Sequence, residues 1–115
     1  MIQKEDQSSE KYAEQVAVQL RKGFLAYCVL KVCAGEAMYT SDIIRRLSEA
    51  ELVVVEGTIY PLLSRLQKDG LLMHEWHESE QGPPRKYYKI TSFGAEVMDH
   101  ITKKIATLNA TLKKL

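Results

Sequence analysis

The apolar positions between residues 54 and 70 recur at three- and four-residue spacings, and a glycine follows them at position 70. This period predicts a short amphipathic helix that ends at Gly70. Its apolar side chains are Ile59, Leu62, Leu63 and Leu66. The hydrogen-bonding and cationic residues on its other side are Thr58, Tyr60, Ser64, Arg65 and Lys68. Such a helix suits the major groove of DNA, although most amphipathic helices simply expose their polar side to water.

Two stretches after this helix, residues 71–77 and 86–91, are rich in side chains that favour strands. Residues 78–84 lie between them and include Gly82, Pro83 and Pro84, so we expect an irregular loop there. The two stretches therefore predict a β-hairpin.

Another helix is predicted over about residues 40–50, with Thr40 as its N-cap and Asp42 in its first turn. The order of helix, connection, helix and hairpin predicts a winged helix-turn-helix. In that arrangement the second helix enters the groove and the hairpin reaches the adjacent backbone. The expected fold class is mainly α with a small β-hairpin (α+β).

The last helix is predicted to begin after Thr91 as its cap and to run to the end of the chain. Its apolar residues alternate four- and three-residue spacings, which is a heptad pattern. They are Met98, Ile101, Ile105, Leu108, Leu112 and Leu115. We expect these residues to form a homodimer interface, because a domain this small has little spare surface to cover so long a seam. The alternative is a helix folded back on its own domain.

The N-terminal region predicts two helical stretches, one capped by Ser8 or Ser9 and one from about residue 20 to residue 34. Gly23 would mark a bend or a close helix contact. Residues before Ser8 have no pattern and are expected to fray. The expected organisation is an N-terminal segment with an extra helix (1–19), the winged helix-turn-helix (20–91) and the dimerisation helix (92–115).

The overall charge limits how DNA could be bound. At 115 residues the chain has the size of one domain, and its net charge is only +1. Any DNA-binding surface must therefore be a local patch. No signal peptide is apparent, and the longest apolar run, residues 24–30, is too short to span a bilayer. A cytoplasmic protein with no membrane partner is expected.

Metal, redox and catalytic sites are not expected. Cys28 and Cys33 fall on different sides of a predicted helix, so we expect both to be reduced and buried. His74 and His77 are three apart on a predicted strand and His100 lies on another helix, so the histidines do not converge. No nucleophile motif or phosphate-binding glycine loop is present. The sequence predicts neither an enzyme nor a cofactor.

Four stretches resemble the PadR-like transcriptional regulators, and most of all their short subgroup with a single C-terminal dimerisation helix. They are residues 20–25 (LRKGFL), 56–66 (EGTIYPLLSRL), 69–72 (DGLL) and 84–91 (PRKYYKIT). The resemblance implies that the helix with Thr58, Tyr60, Ser64 and Arg65 is the recognition helix. It also implies that Arg85 and Lys86 contact phosphates from the wing and that the last helix forms the dimer. Repression of a nearby operon for stress defence or multidrug export, relieved by a small aromatic effector, is implied as well.

Three positions depart from the family pattern. The second helix begins Tyr39-Thr40-Ser41, where the family often has Tyr-Gly-Tyr, and Thr40 and Ser41 could donate to a phosphate. Pro83 stands where the wing commonly has another arginine. The last helix has no tryptophan, which some drug-binding relatives use for stacking.

The sequence thus predicts a DNA-binding transcriptional regulator that acts as a homodimer on a double-stranded, pseudo-palindromic operator. The expected DNA-binding residues are Thr40, Ser41, Thr58, Tyr60, Ser64, Arg65, Lys68, Arg85 and Lys86. The alternative is a winged-helix protein-interaction module without DNA binding. A steep dependence of DNA affinity on salt would separate the two, because it indicates phosphate neutralisation.

Overall fold

The computed structural model describes residues 8–115, and within them four helices and three strands follow one another. The helices are α1 (Ser9–Gly35), α2 (Thr40–Glu49), α3 (Glu56–Lys68) and α4 (Ser92–Lys114). The strands are β1 (Met38–Tyr39), β2 (Leu72–Ser79) and β3 (Gly82–Ile90). This arrangement confirms the α+β winged-helix prediction. The expectation for the residues before Ser8 lies outside the described residues.

The core forms where the apolar sides of α1, α2 and α3 meet the base of the hairpin. The predicted apolar side of α3 is buried in full, and Ile43 and Leu47 of α2 are buried with it. The largest fully buried side chains are Leu30, Ile43, Ile59, Leu63, Leu72, Val29 and Cys33. Burial of side chains from all of these elements fixes α3 against the body and leaves its polar side outward.

Helix α1 is continuous through Gly23, so the predicted division into two helical stretches is wrong. Among the described residues, a Cβ at Gly23 would meet no atom within 4 Å outside the helix itself, so the glycine marks no close helix contact there either. A glycine inside a helix costs about 1 kcal/mol relative to alanine. Burial of Leu25, Val29 and Leu30 in the second half of α1 offsets that cost.

The start of α2 differs from the prediction, because Thr40 is not the N-cap. Tyr39 occupies the cap position without a side-chain hydrogen bond, and Thr40 is the first helical residue. Strand β1 accounts for this difference. Met38 and Tyr39 pair with Tyr88 and Tyr87 of β3, so the chain is already in a sheet immediately before the helix. A strand of two residues has no periodicity from which it could be predicted.

The hairpin is longer than predicted, since residues 82–84 belong to β3 rather than to an irregular loop. The sheet order is β1-β3-β2, and both pairings are antiparallel. Pro83 and Pro84 lie beyond the short β1, beside an irregularity in β2 between His77 and Ser79. Prolines are tolerated at edges and bulges, so the strand continues through them. We refer to the β2–β3 hairpin below as the wing.

Helix α4 begins as predicted, with Thr91 as its cap. The Thr91 hydroxyl accepts a hydrogen bond from the Gly94 amide at 2.9 Å and donates to the Gly70 carbonyl at 2.6 Å. The second of these bonds joins the start of α4 to the connection between α3 and β2. Within residues 8–115, no helix is long and apolar enough to cross a membrane.

Candidate nucleic-acid interface

The outward side of α3 is formed by exposed polar side chains. Thr58, Ser64, Arg65 and Lys68 are all exposed. Tyr60 is 47% exposed, so it points away from the core, whereas Tyr88 of the wing is only 6% exposed and belongs to the core. The helix therefore has donors along a face that no other part of the described chain covers.

A cleft runs along the α1 side of α3. It has a volume of about 590 Å³, and Thr58, Pro61 and Arg65 line it from α3 while Lys22 lines it from α1. We call it the α1 cleft. Lys22 and Arg65 place two exposed cations on its two walls. The sequence prediction missed Lys22, although it lies in the stretch 20–25 that resembles the PadR-like family.

A second cleft lies on the other side of α3, between that helix and the wing. Ser64, Gln67 and Lys68 of α3 and Lys86 of β3 line about 200 Å³ of open space, which we call the wing cleft. The Lys86 ammonium lies 5.5 Å from the centre of the Tyr88 ring, a cation–π contact that holds it beside the sheet. Two ammonium groups, a hydroxyl and an amide thus surround one concave surface, which is complementary to a single anionic group.

The opposite face of the wing carries an aromatic and charged cluster. The Arg85 guanidinium lies 4.9 Å from the centre of the Tyr39 ring, and the Tyr39 ring is 5.8 Å from that of Tyr87. The His77 ring stacks on Tyr87 at 4.1 Å. These contacts hold the outer face of the wing in one arrangement while leaving Arg85 exposed.

The Glu75 side chain makes two polar contacts on the same face of the wing. Its carboxylate is 2.8 Å from the His77 Nε2 and 3.1 Å from the Lys89 ammonium. The hydrogen bond from His77, and then the one from Lys89, hold the pKa of the Glu75 carboxyl below its ordinary value. The wing therefore keeps Lys89 partly neutralised, which leaves Arg85 and Lys86 as its cations available to an anion.

The two residues expected at the start of α2 lie in different surroundings. Thr40 is only 4% exposed, so its side chain is packed into the protein and is not available to a phosphate. This corrects the expectation for Thr40. Ser41, the next residue, is exposed at the first turn of α2. The difference follows from β1, which turns the first residue of α2 inward.

The heptad residues of α4 divide into two groups. Met98, Ile101 and Ile105 are half-buried, whereas Leu108 and Leu112 are 66% and 69% exposed and Leu115 is exposed as well. Helix α1 lies beside α4, and the Tyr27 hydroxyl is hydrogen-bonded to the Thr102 hydroxyl at 2.7 Å. The first three heptad residues thus pack partly on their own chain, whereas no part of residues 8–115 buries the last three.

An open apolar groove lies between α1 and α4, with a volume of about 530 Å³. Its lining includes Leu20, Phe24, Tyr27, Ile101, Ile105 and Leu108. Along α1, Tyr12, Val16, Leu20 and Phe24 recur every four residues and are all exposed. The apolar surface of α4 therefore continues onto α1, which the sequence prediction had not assigned to any interface.

Within residues 8–115, no group of three or more histidine, cysteine or acidic residues is placed to hold a metal ion. Both cysteines are free; Cys33 is buried and Cys28 is half-buried. Burial raises the pKa of the Cys33 thiol to about 12 and also raises the pKa of Cys28. A thiol with a raised pKa is a poor nucleophile and a poor metal ligand at neutral pH, so both cysteines act as small apolar side chains.

Comparison with known proteins points to one family. The sequence model of the transcriptional regulator PadR-like family matches residues 29–100. A PadR-like transcription factor from Bacteroides fragilis has 50% identity and a TM-score of 0.76, over 87% of this chain and 97% of that one. A PadR family regulator from Eggerthella lenta has 28% identity and a TM-score of 0.83, over 91% and 92%. A PadR-like regulator from Bacillus cereus has 34% identity and a TM-score of 0.75, over 84% and 94%.

Proposed function

Because the chain belongs to the PadR-like family of transcriptional regulators, whose members bind DNA and are not enzymes, we propose that it is a ligand-responsive repressor. It binds as a homodimer to a pseudo-palindromic operator near its own gene. The operon it controls serves stress defence or multidrug export. The observation that carries this proposal is the exposed polar side of α3 with a cationic cleft on each flank.

In this proposal α3 is the recognition helix. Ser64 and Tyr60 lie on its exposed side and meet base edges or phosphates in the major groove. Arg65, on the wall of the α1 cleft, has a side chain long enough to reach a guanine edge or the adjacent backbone. Thr58 lies in the first turn of α3 and donates to a phosphate there.

The flanking elements fix the position of α3 on the duplex. Lys68 and Lys86 bind the backbone from the wing cleft, and Lys22 binds it from the α1 cleft. Arg85 and Ser41 add contacts from the wing and from the first turn of α2. Phosphate contacts of this kind set register and orientation rather than sequence preference.

The homodimer is proposed to form through α4, because Leu108, Leu112 and Leu115 are exposed in the single chain. The half-buried Met98, Ile101 and Ile105 continue the same seam toward the domain, and the exposed apolar residues of α1 widen it. A second copy would remove this surface from water. Two copies related by a two-fold axis would then place two α3 helices in successive major grooves.

The effector is proposed to be a small aromatic compound that binds in the groove between α1 and α4. The apolar lining and the paired rings of Phe24 and Tyr27, 6.3 Å apart, support this choice, and they provide stacking surfaces in a helix pair that has no tryptophan. Because the groove lies on the proposed dimer surface, a ligand there would change the separation of the two α3 helices. Release of DNA on adding a planar aromatic compound would test this proposal.

The direct test is the binding of a fluorescently labelled duplex from the region upstream of the gene, measured by polarisation over a series of salt concentrations. Wild-type affinity should fall steeply with salt. Arg65→Ala should weaken binding by ~1–3 kcal/mol if Arg65 contacts a base. Lys103→Ala is the matched control, because it removes one positive charge from α4 rather than from the α3 surface.

The outcomes separate the roles of Arg65. A loss confined to the upstream duplex indicates base contact, whereas an equal loss on a scrambled duplex indicates a phosphate contact only. If the wild-type protein binds neither duplex at low salt, the proposed function is wrong and a protein-interaction module becomes the better explanation.

A further inference from the structure

Trp76, the single tryptophan of the chain, is 63% exposed on the wing. Side chains alternate between the two faces of a strand, so Leu72, His74 and Trp76 of β2 share one face. Leu72 on that face is buried in the core against which α3 packs. Trp76 therefore lies on the same side of the wing as α3, but farther out, where the body of the domain no longer covers it.

The register of the hairpin places Trp76 beside the wing cleft. Trp76 is directly opposite Lys86 in the β2–β3 ladder, and directly opposite residues have Cβ atoms about 4.5–5.5 Å apart. Lys86 lines the wing cleft together with Ser64, Gln67 and Lys68. The Trp76 indole therefore neighbours Lys86, which is one of the four residues that line the wing cleft.

The surroundings of Trp76 orient its ring. The His74 ring meets it edge to face, with centroids 5.8 Å apart and planes at 84°. His74 is itself packed against Tyr88 of the core at 6.5 Å. A chain of aromatic contacts therefore links an exposed indole to the buried part of the domain, which lowers the entropy lost when that indole binds a partner.

We propose that Trp76 is a DNA-contacting residue: a backbone phosphate enters the wing cleft and the Trp76 indole covers the adjacent deoxyribose. This rests on the proposed function of the chain as a DNA-binding regulator. Lys68 and Lys86 neutralise the phosphate, and Ser64 and Gln67 donate hydrogen bonds to it. The flat apolar ring packs on the sugar next to that phosphate, and its N–H can donate to an oxygen of the same backbone.

Because the indole is uncharged, the proposal predicts a distinctive dependence of DNA affinity on salt concentration. Trp76→Ala should lower affinity for the upstream duplex about tenfold at every salt concentration and leave the slope of log affinity against log salt unchanged. Lys86→Ala should instead reduce that slope by about 1, since it removes one phosphate contact. Trp76→Phe should retain part of the affinity because it keeps an apolar ring.

The matched control is Met73→Ala, because Met73 is also exposed on β2 but lies on the opposite face. It should bind like the wild type. A second readout needs no mutation: Trp76 is the single tryptophan, so emission excited at the long-wavelength edge, where tyrosine does not absorb, reports on it alone. That emission should shift or be quenched when unlabelled upstream duplex is added. Circular dichroism of each variant checks that the fold is retained.

The proposal would be overturned if the wild type bound the duplex with unchanged Trp76 emission and the Trp76→Ala variant bound it equally well. The proposed function would still stand in that case. A slope that falls in Trp76→Ala as it does in Lys86→Ala would also overturn the proposal, because the loss would then come from displaced cations. Failure of the wild type to bind any upstream or scrambled duplex would reject the proposed function, and this inference with it.

Discussion

Glu51, the second residue after α2, has a backbone conformation that favours glycine. Its φ is 65°, and the two amides that follow the cap bond back to the helix, Glu51 to the Ser48 carbonyl at 2.9 Å and Leu52 to the Leu47 carbonyl at 2.8 Å. Gly70, the second residue after α3, has a φ of 82°, and the equivalent pair of bonds follows α3. The two turns are equivalent, but only the second has the residue that the left-handed region accepts without cost.

Glu51→Gly should therefore stabilise the protein by up to about 1 kcal/mol, since relief of the left-handed conformation outweighs the added freedom of the unfolded chain. Urea unfolding followed by circular dichroism measures the change. Glu49→Gly, inside the last turn of the same helix, is the control and should be destabilising. A destabilised Glu51→Gly variant would show that the Glu51 side chain contributes more than its backbone costs.

Residue types correctly predicted the helix ends at Ser8, Gly70 and Thr91, but not the one at Thr40. Gly70 and Thr91 were placed correctly because their signals are local: a glycine after an apolar period and a threonine before one. Thr40 has the same local signal, yet it is buried as the first residue of α2. The pairing of β1 with β3 decides that position, and this pairing involves residues about fifty positions apart in the sequence.

At the scale of elements, α4 packs on the rest of the domain through a glycine that the heptad pattern alone does not explain. A Cβ on Gly94 would meet the Leu71 carbonyl at a distance no real side chain occupies, and Ile90 Cγ1 would be 2.8 Å away. The absence of a side chain allows the first turn of α4 to lie against the connection between α3 and β2. The direction in which α4 leaves the domain depends on this contact.

Gly94→Ala should destabilise the fold by about 1–3 kcal/mol, because the obstructing atom is a backbone oxygen that cannot rotate away. Gly23→Ala is the control, since a Cβ there would meet nothing within 4 Å in residues 8–115 outside α1 itself. This substitution should stabilise α1 by up to about 1 kcal/mol. Thermal unfolding of the two variants beside the wild type measures both effects. Equal stability of Gly94→Ala and wild type would contradict the close packing of α4.

The lengths of elements were harder to predict than their order. Two helical stretches were expected where α1 is one helix, and Pro83 and Pro84 were expected in a loop, but the helix and the strand both continue through these regions. In each case packing elsewhere in the element outweighs a local penalty: buried leucine and valine side chains in α1, and pairing with β2 in β3. Propensity at one residue is a weak signal beside such contacts.

At the scale of the whole molecule, the near-neutral net charge explains why DNA affinity would depend on the proposed dimer. With a net charge of +1, long-range attraction to DNA is weak, so binding depends on the local cations beside α3 and on the wing. Pairing two such surfaces on one operator can raise affinity by about 10²–10⁴ over a single surface without any new contact. The sequence predicted the α4 seam, while the exposed apolar stripe of α1 became apparent only from the packing of the two helices.

Leu108→Glu combined with Leu112→Glu should produce a folded monomer, because both side chains are exposed in the single chain and would be buried by the second copy in the proposed dimer. Light scattering measures the mass, and circular dichroism confirms the fold. Ala106→Glu combined with Thr107→Glu, which places two glutamates at exposed residues of the same helix outside the seam, is the matched control and should remain dimeric. Dimers of the Leu108 and Leu112 variant would place the interface elsewhere.

The most direct measurement of the central claim is a titration of labelled upstream duplex at a concentration well above the dissociation constant, with wild-type protein and with the Leu108 and Leu112 variant. The proposed dimer predicts saturation at two wild-type chains per duplex, and an affinity at least about a hundredfold weaker for the monomeric variant. Saturation at one chain per duplex, with equal affinity for the two proteins, would contradict the claim that a pair of α3 helices binds the operator.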